Sequence, residues 1–237
     1  MQFPQPLERG VLVQRYKRFF ADVAMDDGRH ITAHCPNPGS MLGLNLAGMP
    51  VWLSRSDNPK RKLAHTLELV GVEGGHVGVN ALWANKLASE ALAAGVVSEL
   101  AGYPVVRPEV KYGEASRVDF LLTGSGRPDC YVEVKSVTLC RGERLAEWPD
   151  SVSSRGARHL VELEAMVAAG NRAALLFVVQ RNDCDRFDLA HDLDSAFSRA
   201  LAGAMAAGVE VLVYGCDIDP VQVRISRRLP HENRALT

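Results

Sequence analysis

Arg117-Val118-Asp119-Phe120-Leu121-Leu122, followed after the turn residues Gly124-Ser125-Gly126 by Tyr131-Val132-Glu133-Val134-Lys135, reads as two neighbouring strands. Alternate side chains of a strand share a face, so Asp119 lies opposite Val118 and Phe120, while Glu133 and Lys135 lie together opposite Val132 and Val134. Two acids and a lysine therefore meet on one side of adjacent strands. The apolar residues opposite fix the register, because a slip of one residue would push the charges into the core.

The flanking sequence places these strands in an α/β domain with a mixed sheet. Ala84 to Ala94 is rich in Ala and Leu and stops at Gly95, as a helix with a C-terminal glycine does. Strands are predicted at Glu109–Tyr112, Arg117–Leu122 and Cys130–Val137. A second helix starts at Ser153 or Ser154 and runs to Ala169, with Leu160, Leu163, Met166 and Val167 as its apolar stripe. Ala173–Gln180 reads as a strand buried on both faces, followed by a helix over Asp194–Ala207 and a strand over Val209–Tyr214. Residues 81–237 are assigned to this domain. Residues 1–80 read differently, as short strands between turns: Val11–Met25 with a polar and basic interruption, His30–His34, Val51–Ser54, Leu63–Val72 and His76–Val79. Five strands in so short a span suggest a small closed barrel, and an OB-like barrel fits both count and size.

Composition narrows the function classes. Among 237 residues, 27 Lys and Arg face 28 Asp and Glu, so affinity for nucleic acid must come from local patches and not from overall charge. The longest apolar stretch, Ala173 to Val179, is too short for a membrane span, and neither a signal peptide nor a membrane partner is expected. The five cysteines are an odd number without a C-x-x-C pair, which argues against a disulfide framework or a Cys-rich zinc site and for a reduced, cytosolic setting.

Asp119, Glu133 and Lys135 suit metal-assisted phosphodiester hydrolysis. Two carboxylates, with the Val134 carbonyl as a further donor, can hold Mg²⁺ or Mn²⁺ through oxygen, and Lys135 can orient the attacking water and stabilise developing negative charge. Asp, thirteen intervening residues and then Glu-x-Lys resembles the PD-(D/E)xK nuclease superfamily, whose core has the element order read above. Asp129, in Pro128-Asp129, is the competing acid, but it stands on the same strand as Glu133, and Asp119 is preferred. In that superfamily the first helix often contributes an acid, which makes Glu90 the auxiliary candidate. Gln180, ending the next core strand, is a further candidate for orienting water or phosphate.

Longer strings extend the resemblance to nearly the whole chain: Arg15-Tyr16-Lys17-Arg18-Phe19, Ala33-His34-Cys35-Pro36-Asn37-Pro38-Gly39-Ser40-Met41, Ser54-Arg55-Ser56-Asp57-Asn58-Pro59-Lys60-Arg61-Lys62, Val110-Lys111-Tyr112-Gly113 and Gln180-Arg181-Asn182-Asp183-Cys184-Asp185-Arg186-Phe187. Together they look like the sugar fermentation stimulation protein A (SfsA) family. The resemblance implies an N-terminal OB-like domain, a C-terminal nuclease-like domain, DNA as partner and a bacterial role in regulating sugar (maltose) metabolism. It leaves open whether the nuclease site cuts, so a non-catalytic DNA-binding regulator stands as the alternative, with an RNA or small-molecule hydrolase as a third reading.

Nucleic acid is expected on the barrel, at Arg15, Tyr16, Lys17 and Arg18 and at Arg55, Lys60, Arg61 and Lys62. Basic and aromatic side chains there can track phosphates and stack on bases, although residues 1–80 carry only nine Lys or Arg against seven Asp or Glu. His34, Asn37 and Ser40 lie in a loop pre-set by prolines and glycine that can hold a phosphate. Arg155 and His159 share a helix face and can point toward the metal site. The acidic run Asp183, Asp185, Asp188, His191, Asp192 and Asp194 contains Arg181 and Arg186 and reads as local salt bridges and helix capping.

Overall fold

The computed structural model describes residues 1–113 and 116–231. Six strands open the chain: β1 (Glu8–Tyr16), β2 (Phe20–Met25), β3 (His30–His34), β4 (Pro50–Arg55), β5 (His65–Val72) and β6 (Gly75–Gly78). They hydrogen-bond in the order β3-β2-β1-β4-β5-β6, and β3 also meets β5 through His34 and Thr66. The first five therefore close into the expected OB barrel, around Leu12, Val23, Ala33, Val51, Leu53 and Leu67. The polar interruption between Val11 and Met25 is a tight turn, with Lys17 and Arg18 at φ of 47° and 64°. Residues with a Cβ rarely take that conformation, so nothing in their identity announced the turn, and one expected strand became two.

Then follow α1 (Trp83–Ala93), β7 (Val105–Tyr112), β8 (Ser116–Thr123), β9 (Cys130–Val137), β10 (Leu139–Cys140), β11 (Leu145–Trp148), α2 (Ser154–Ala168), β12 (Arg172–Val179), β13 (Arg186–Leu189), α3 (Ser195–Ala206), β14 (Glu210–Ile218) and β15 (Val223–Arg228). The large sheet runs β15-β14-β12-β9-β8-β7. Its centre is parallel, β9 with β12 and β12 with β14, and its flanks are antiparallel. Every residue of Ala173–Val179 is fully buried because both faces of β12 are covered. Ala174, Leu176 and Val178 pack with Trp83, Leu87 and Ala88 of α1, while Leu175 and Phe177 pack with Leu160 and Leu163 of α2 and Phe197 and Leu201 of α3.

Caps set where the helices begin. The Ser153 hydroxyl accepts from Gly156 N–H at 3.1 Å, and Asp194 accepts from Phe197 N–H at 2.9 Å and from Ser153 N–H at 2.7 Å. The acidic run behaves as expected: Asp183 pairs with Arg181, Asp185 with Arg144 and Asp192 with Arg141. The short strands β10, β11 and β13 form a separate small sheet, too brief to leave a periodic signal. No helix among the described residues is long and apolar enough to cross a membrane.

β6 and the loop after β3 both tie the barrel to the α/β domain. At β6, Gly78 N–H donates to the Gln180 carbonyl at 2.8 Å and His76 N–H to Asn182 Oδ1 at 2.9 Å. A Cβ on Gly75 would stand 2.1 Å from Asn182 Oδ1, so a larger residue there would push Asn182 off the His76 N–H. In the loop after β3, Ser40 Oγ donates to the Asp150 carbonyl at 2.9 Å and Met41 N–H to Asp150 Oδ2 at 3.1 Å. Phe177 is fully buried at the centre of the large sheet, against Trp148 and Phe187 at 5.7 and 4.6 Å between ring centroids. Truncating it in Phe177→Ala is expected to cost about 3–5 kcal/mol in urea unfolding, and a loss under about 1 kcal/mol would contradict this packing.

Candidate functional site

Pairing between β8 and β9 runs only from Leu122↔Cys130 to Phe120↔Val132. Beyond it the strands part, and the Val134 N–H donates to Asp119 Oδ2 at 2.7 Å. A side-chain carboxylate thus receives an amide for which a continuing ladder would supply a carbonyl. Beside it, Glu109 of β7 takes φ 53°, and the sheet face changes: Phe120 packs with the α1 layer but Val118 with the α2 layer. The expectation that Val118 and Phe120 share a face gives way at Asp119 itself. The other oxygen, Oδ1, accepts from Asn85 Nδ2 of α1 at 2.7 Å.

β9 stays paired with β12 along its length, so Glu133 and Lys135 keep one face and look toward α2. Lys135 Nζ donates to Glu133 Oε1 at 2.8 Å, and the same oxygen meets Nδ1 of the buried His159. Arg155 Nε donates to His159 Nε2 at 3.2 Å. Nε2 is therefore the acceptor, and the network assigns the imidazole proton to Nδ1, which donates it to Glu133. Glu133 Oε2 is buried with no hydrogen-bond partner.

The two carboxylates differ electrostatically. Burial works to raise the Glu133 pKa, but the His159 hydrogen bond and the Lys135 charge outweigh it and hold the group below the usual carboxylate range. Asp119 is pushed up, by burial first and then by the negative charge of Glu133, against the pull of Val134 N–H and Asn85. Tyr112, stacked on Tyr131 at 5.8 Å, is raised by burial and by the negative field of Glu133, Glu162 and Asp119. The adjoining cleft of about 740 Å³ is lined by Arg117, Asp119, Arg155, Arg158, His159 and Glu162 among others. Sequence reasoning missed Glu162 and Asn85. Glu162 stands three residues beyond His159 on the same face of α2, a signal that was there to be read.

Asp119, Glu133, Lys135, Arg155 and His159 come together, and other candidates do not join them. Glu90 is half exposed and pairs with the N-terminal ammonium of Met1 at 2.6 Å. It lies five positions from Asn85, the α1 residue that reaches Asp119, and five steps of a helix rotate by about 140°. Gln180 is fully buried on the α1 side of the sheet, where its Nε2 donates to Ser136 Oγ at 2.6 Å.

On the barrel, Arg15 is committed to structure: its guanidinium donates to the carbonyls of Arg18, Asn37, Gly39 and Ser40. Asn37 is buried and donates to the Val79 carbonyl at 3.0 Å, so with Ser40 it shapes and docks the loop. Tyr16 stacks on Phe20 at 5.5 Å. Lys17, Arg18, Phe19, Arg55, Lys60, Arg61 and Lys62 are exposed. Arg61 bonds Thr66 at 2.9 Å, and after burial its charge lowers the His34 pKa, which brings the basic loop beside β3.

The chain matches the family model "SfsA N-terminal OB domain" over residues 13–79 and "Sugar fermentation stimulation protein RE domain" over residues 82–222. It is 55% identical to the "Sugar fermentation stimulation protein homolog" of Caulobacter vibrioides over 237 residues, covering 100% of this chain and 99% of that protein. The homolog of Maricaulis maris is 57% identical over 227 residues, covering 96% and 97%. Among solved structures, "The structure of Pyrococcus Furiosus SfsA in complex with Ca2+" superposes with a TM-score of 0.88 at 25% identity, over 98% of each chain.

Since the fold holds Asp119 ionised at a cost, Asp119→Asn in EDTA at neutral pH is expected to unfold at a higher temperature than the native protein. Its amide oxygen still accepts from Val134, and Asn85 turns its own oxygen to the new amide. The gap should close as pH falls through the raised range where native Asp119 takes up its proton. Calorimetry checks this, and a lower midpoint for the variant at neutral pH contradicts it.

Proposed function

We propose a metal-dependent, DNA-hydrolysing function for this chain, which belongs to the sugar fermentation stimulation protein (SfsA) family. The observation that carries the reading is the joining of Asp119, Glu133 and Lys135 where β8 and β9 part, beside a cleft walled by Arg117, Arg155 and Arg158. The residues fit a divalent cation. Glu133 Oε2 is a buried carboxylate oxygen without a partner, and Asp119 is a carboxylate whose ionisation its surroundings oppose. Asp119 and Glu133, with the Val134 carbonyl, would hold Mg²⁺ or Mn²⁺; the Ca²⁺ of the Pyrococcus furiosus protein, another oxygen-seeking cation, supports this donor chemistry. Such a cation supplies Lewis acidity toward a phosphate oxygen and a water acidic enough to attack at neutral pH.

The chain's own residues do the rest. His159 and Lys135 hold Glu133 by one oxygen and keep it ionised, leaving the other free. The Lys135 ammonium, held by Glu133, would orient the attacking water and stabilise the charge that develops on phosphorus-bound oxygens. Arg117, Arg155 and Arg158, which line the cleft, would hold backbone phosphates of the bound strand. Lys17, Arg18, Arg55, Lys60, Arg61 and Lys62 extend a charged track over the barrel, where Phe19 at 44% exposure offers a ring for base stacking.

Labelled single- and double-stranded DNA and RNA, incubated with Mg²⁺ or Mn²⁺, test the reading. The native protein is expected to cut DNA, and Glu133→Ala and Lys135→Ala to lose at least about 100-fold in rate while remaining folded. Equal cutting by all three proteins would mark a contaminant. DNA binding without cutting would favour the alternative, a non-catalytic DNA-binding regulator of sugar fermentation genes. Binding itself is expected to weaken linearly in log salt, and the pair Lys60→Ala and Lys62→Ala to reduce that slope by about 2. An unchanged slope would remove the loop from the interface.

A further inference from the structure

Away from the cleft, Cys140 at the end of β10 and Cys184 ahead of β13 bring their sulfurs, with a carboxylate oxygen of Asp183, within 4.8 Å of one another. Cys184 is fully buried and Cys140 half-buried, so one sulfur is open to small solutes and the other is shielded behind it. Two cationic groups frame the pair. Arg227 donates to the Cys184 carbonyl at 3.0 Å, and the buried Arg181 places its charge against both sulfurs.

The same arginine argues against a metal. Arg181 Nε and Nη2 bind both oxygens of Asp183 at 2.8 and 2.7 Å, and Nη1 binds the Thr138 carbonyl at 2.6 Å. A cation taking Asp183 as ligand would leave a buried guanidinium without its partner. Thiol chemistry needs no such displacement.

We propose that Cys140 and Cys184 are a peroxide-reactive thiol pair that closes to an intrachain disulfide. As a thiol, Cys140 donates to the Gly142 carbonyl at 3.8 Å; as a thiolate it can accept from the neighbouring Cys184 thiol. That hydrogen bond from Cys184, opposed by burial and aided by the Arg181 charge, pulls Cys140 below the ordinary thiol range. The thiolate attacks one oxygen of hydrogen peroxide, forming an S–O bond as the O–O bond breaks and hydroxide leaves, to give a sulfenic acid. The Cys184 sulfur then attacks the Cys140 sulfur: the S–S bond forms, the S–O bond breaks, and the departing hydroxyl takes the Cys184 proton away as water. Two thiols and one peroxide become one disulfide and two waters. The remaining cysteines, Cys35, Cys130 and Cys216, are buried, and burial raises each of their pKa values.

The test is a thiol count on the reduced full-length chain, in EDTA, before and after mild hydrogen peroxide, with peptide mapping under non-reducing conditions. Two of the five thiols are expected to disappear, Cys140 and Cys184 to be recovered in one linked peptide, and dithiothreitol to restore both. In Cys184→Ser the stalled sulfenic acid on Cys140 should be captured by dimedone, and in Cys140→Ser none of the four remaining thiols should react. Five thiols surviving peroxide overturn the proposal, as does a link to any other cysteine. So would one equivalent of Zn²⁺ on the untreated protein that protects both thiols and is lost in Cys140→Ser.

Discussion

The hydrogen bond from Val134 N–H to Asp119 Oδ2, at 2.7 Å, is the constraint on which the site depends. A backbone amide inside a sheet must find an acceptor, and where β8 and β9 part the side chain of Asp119 provides one. Parting makes room for the cleft, and the bond prevents the gap from costing an orphaned amide. It also fixes one carboxylate against β9 within reach of the face that carries Glu133 and Lys135. An apolar residue at position 119 would let the strands rejoin or leave Val134 unsatisfied, so the fold needs a side-chain acceptor there before any chemistry is considered.

The second carboxylate is held from the opposite layer. Glu133 reaches α2 because β9 keeps register with β12, whose alternate residues lock both faces of the sheet. α2 answers with His159, which Arg155 holds by its other nitrogen. The start of α2 is tied down in turn: Asp194 accepts from Ser153 N–H, and the Ser153 hydroxyl caps the first turn. Three residues upstream, Asp150 receives Ser40 and Met41 of the barrel loop, which Arg15 gathers through three carbonyls. Contacts thus run without a break from the barrel to Glu133. Arg15, expected among the nucleic-acid contacts, has its place in this chain of bonds.

Periodicity made the secondary structure around the site legible. Glu133 and Lys135 were readable because apolar alternation told which residues of their strand share a face, and Arg155 and His159 because four residues make about one helical turn; Asp119 was found by the same alternation although that alternation breaks at Asp119. Three kinds of information were out of reach. The Lys17–Arg18 turn uses left-handed residues without glycine or asparagine, so composition concealed it. β10, β11 and β13 are too short for a period to show. The α1 contribution required the rotational phase of one helix against a strand from another part of the sheet, and that is set by packing: Trp83, Leu87 and Ala88 face the core, Asn85 reaches Asp119, and Glu90 turns toward the N-terminus. The Cys140–Cys184 approach belongs to the same class, since spacing along the chain carries no trace of a contact made by folding.

The opposite directions in which the fold moves its two carboxylates divide their roles under the hydrolytic reading. Glu133 is surrounded by donors and stays ionised by the protein's own charges, so it is prepared before any cation arrives. Asp119 has only neutral donors in contact and the negative field of Glu133 beside it, with Lys135 a weaker influence at longer range. Its ionised form is the one that gains most from a divalent cation, and the cation in turn gains a ligand whose position the sheet already dictates. Under that reading a bound cation would relieve the opposition of burial and of the Glu133 charge to ionised Asp119, and Lys135, already bound to Glu133, would hold its ammonium beside the developing charge of a substrate.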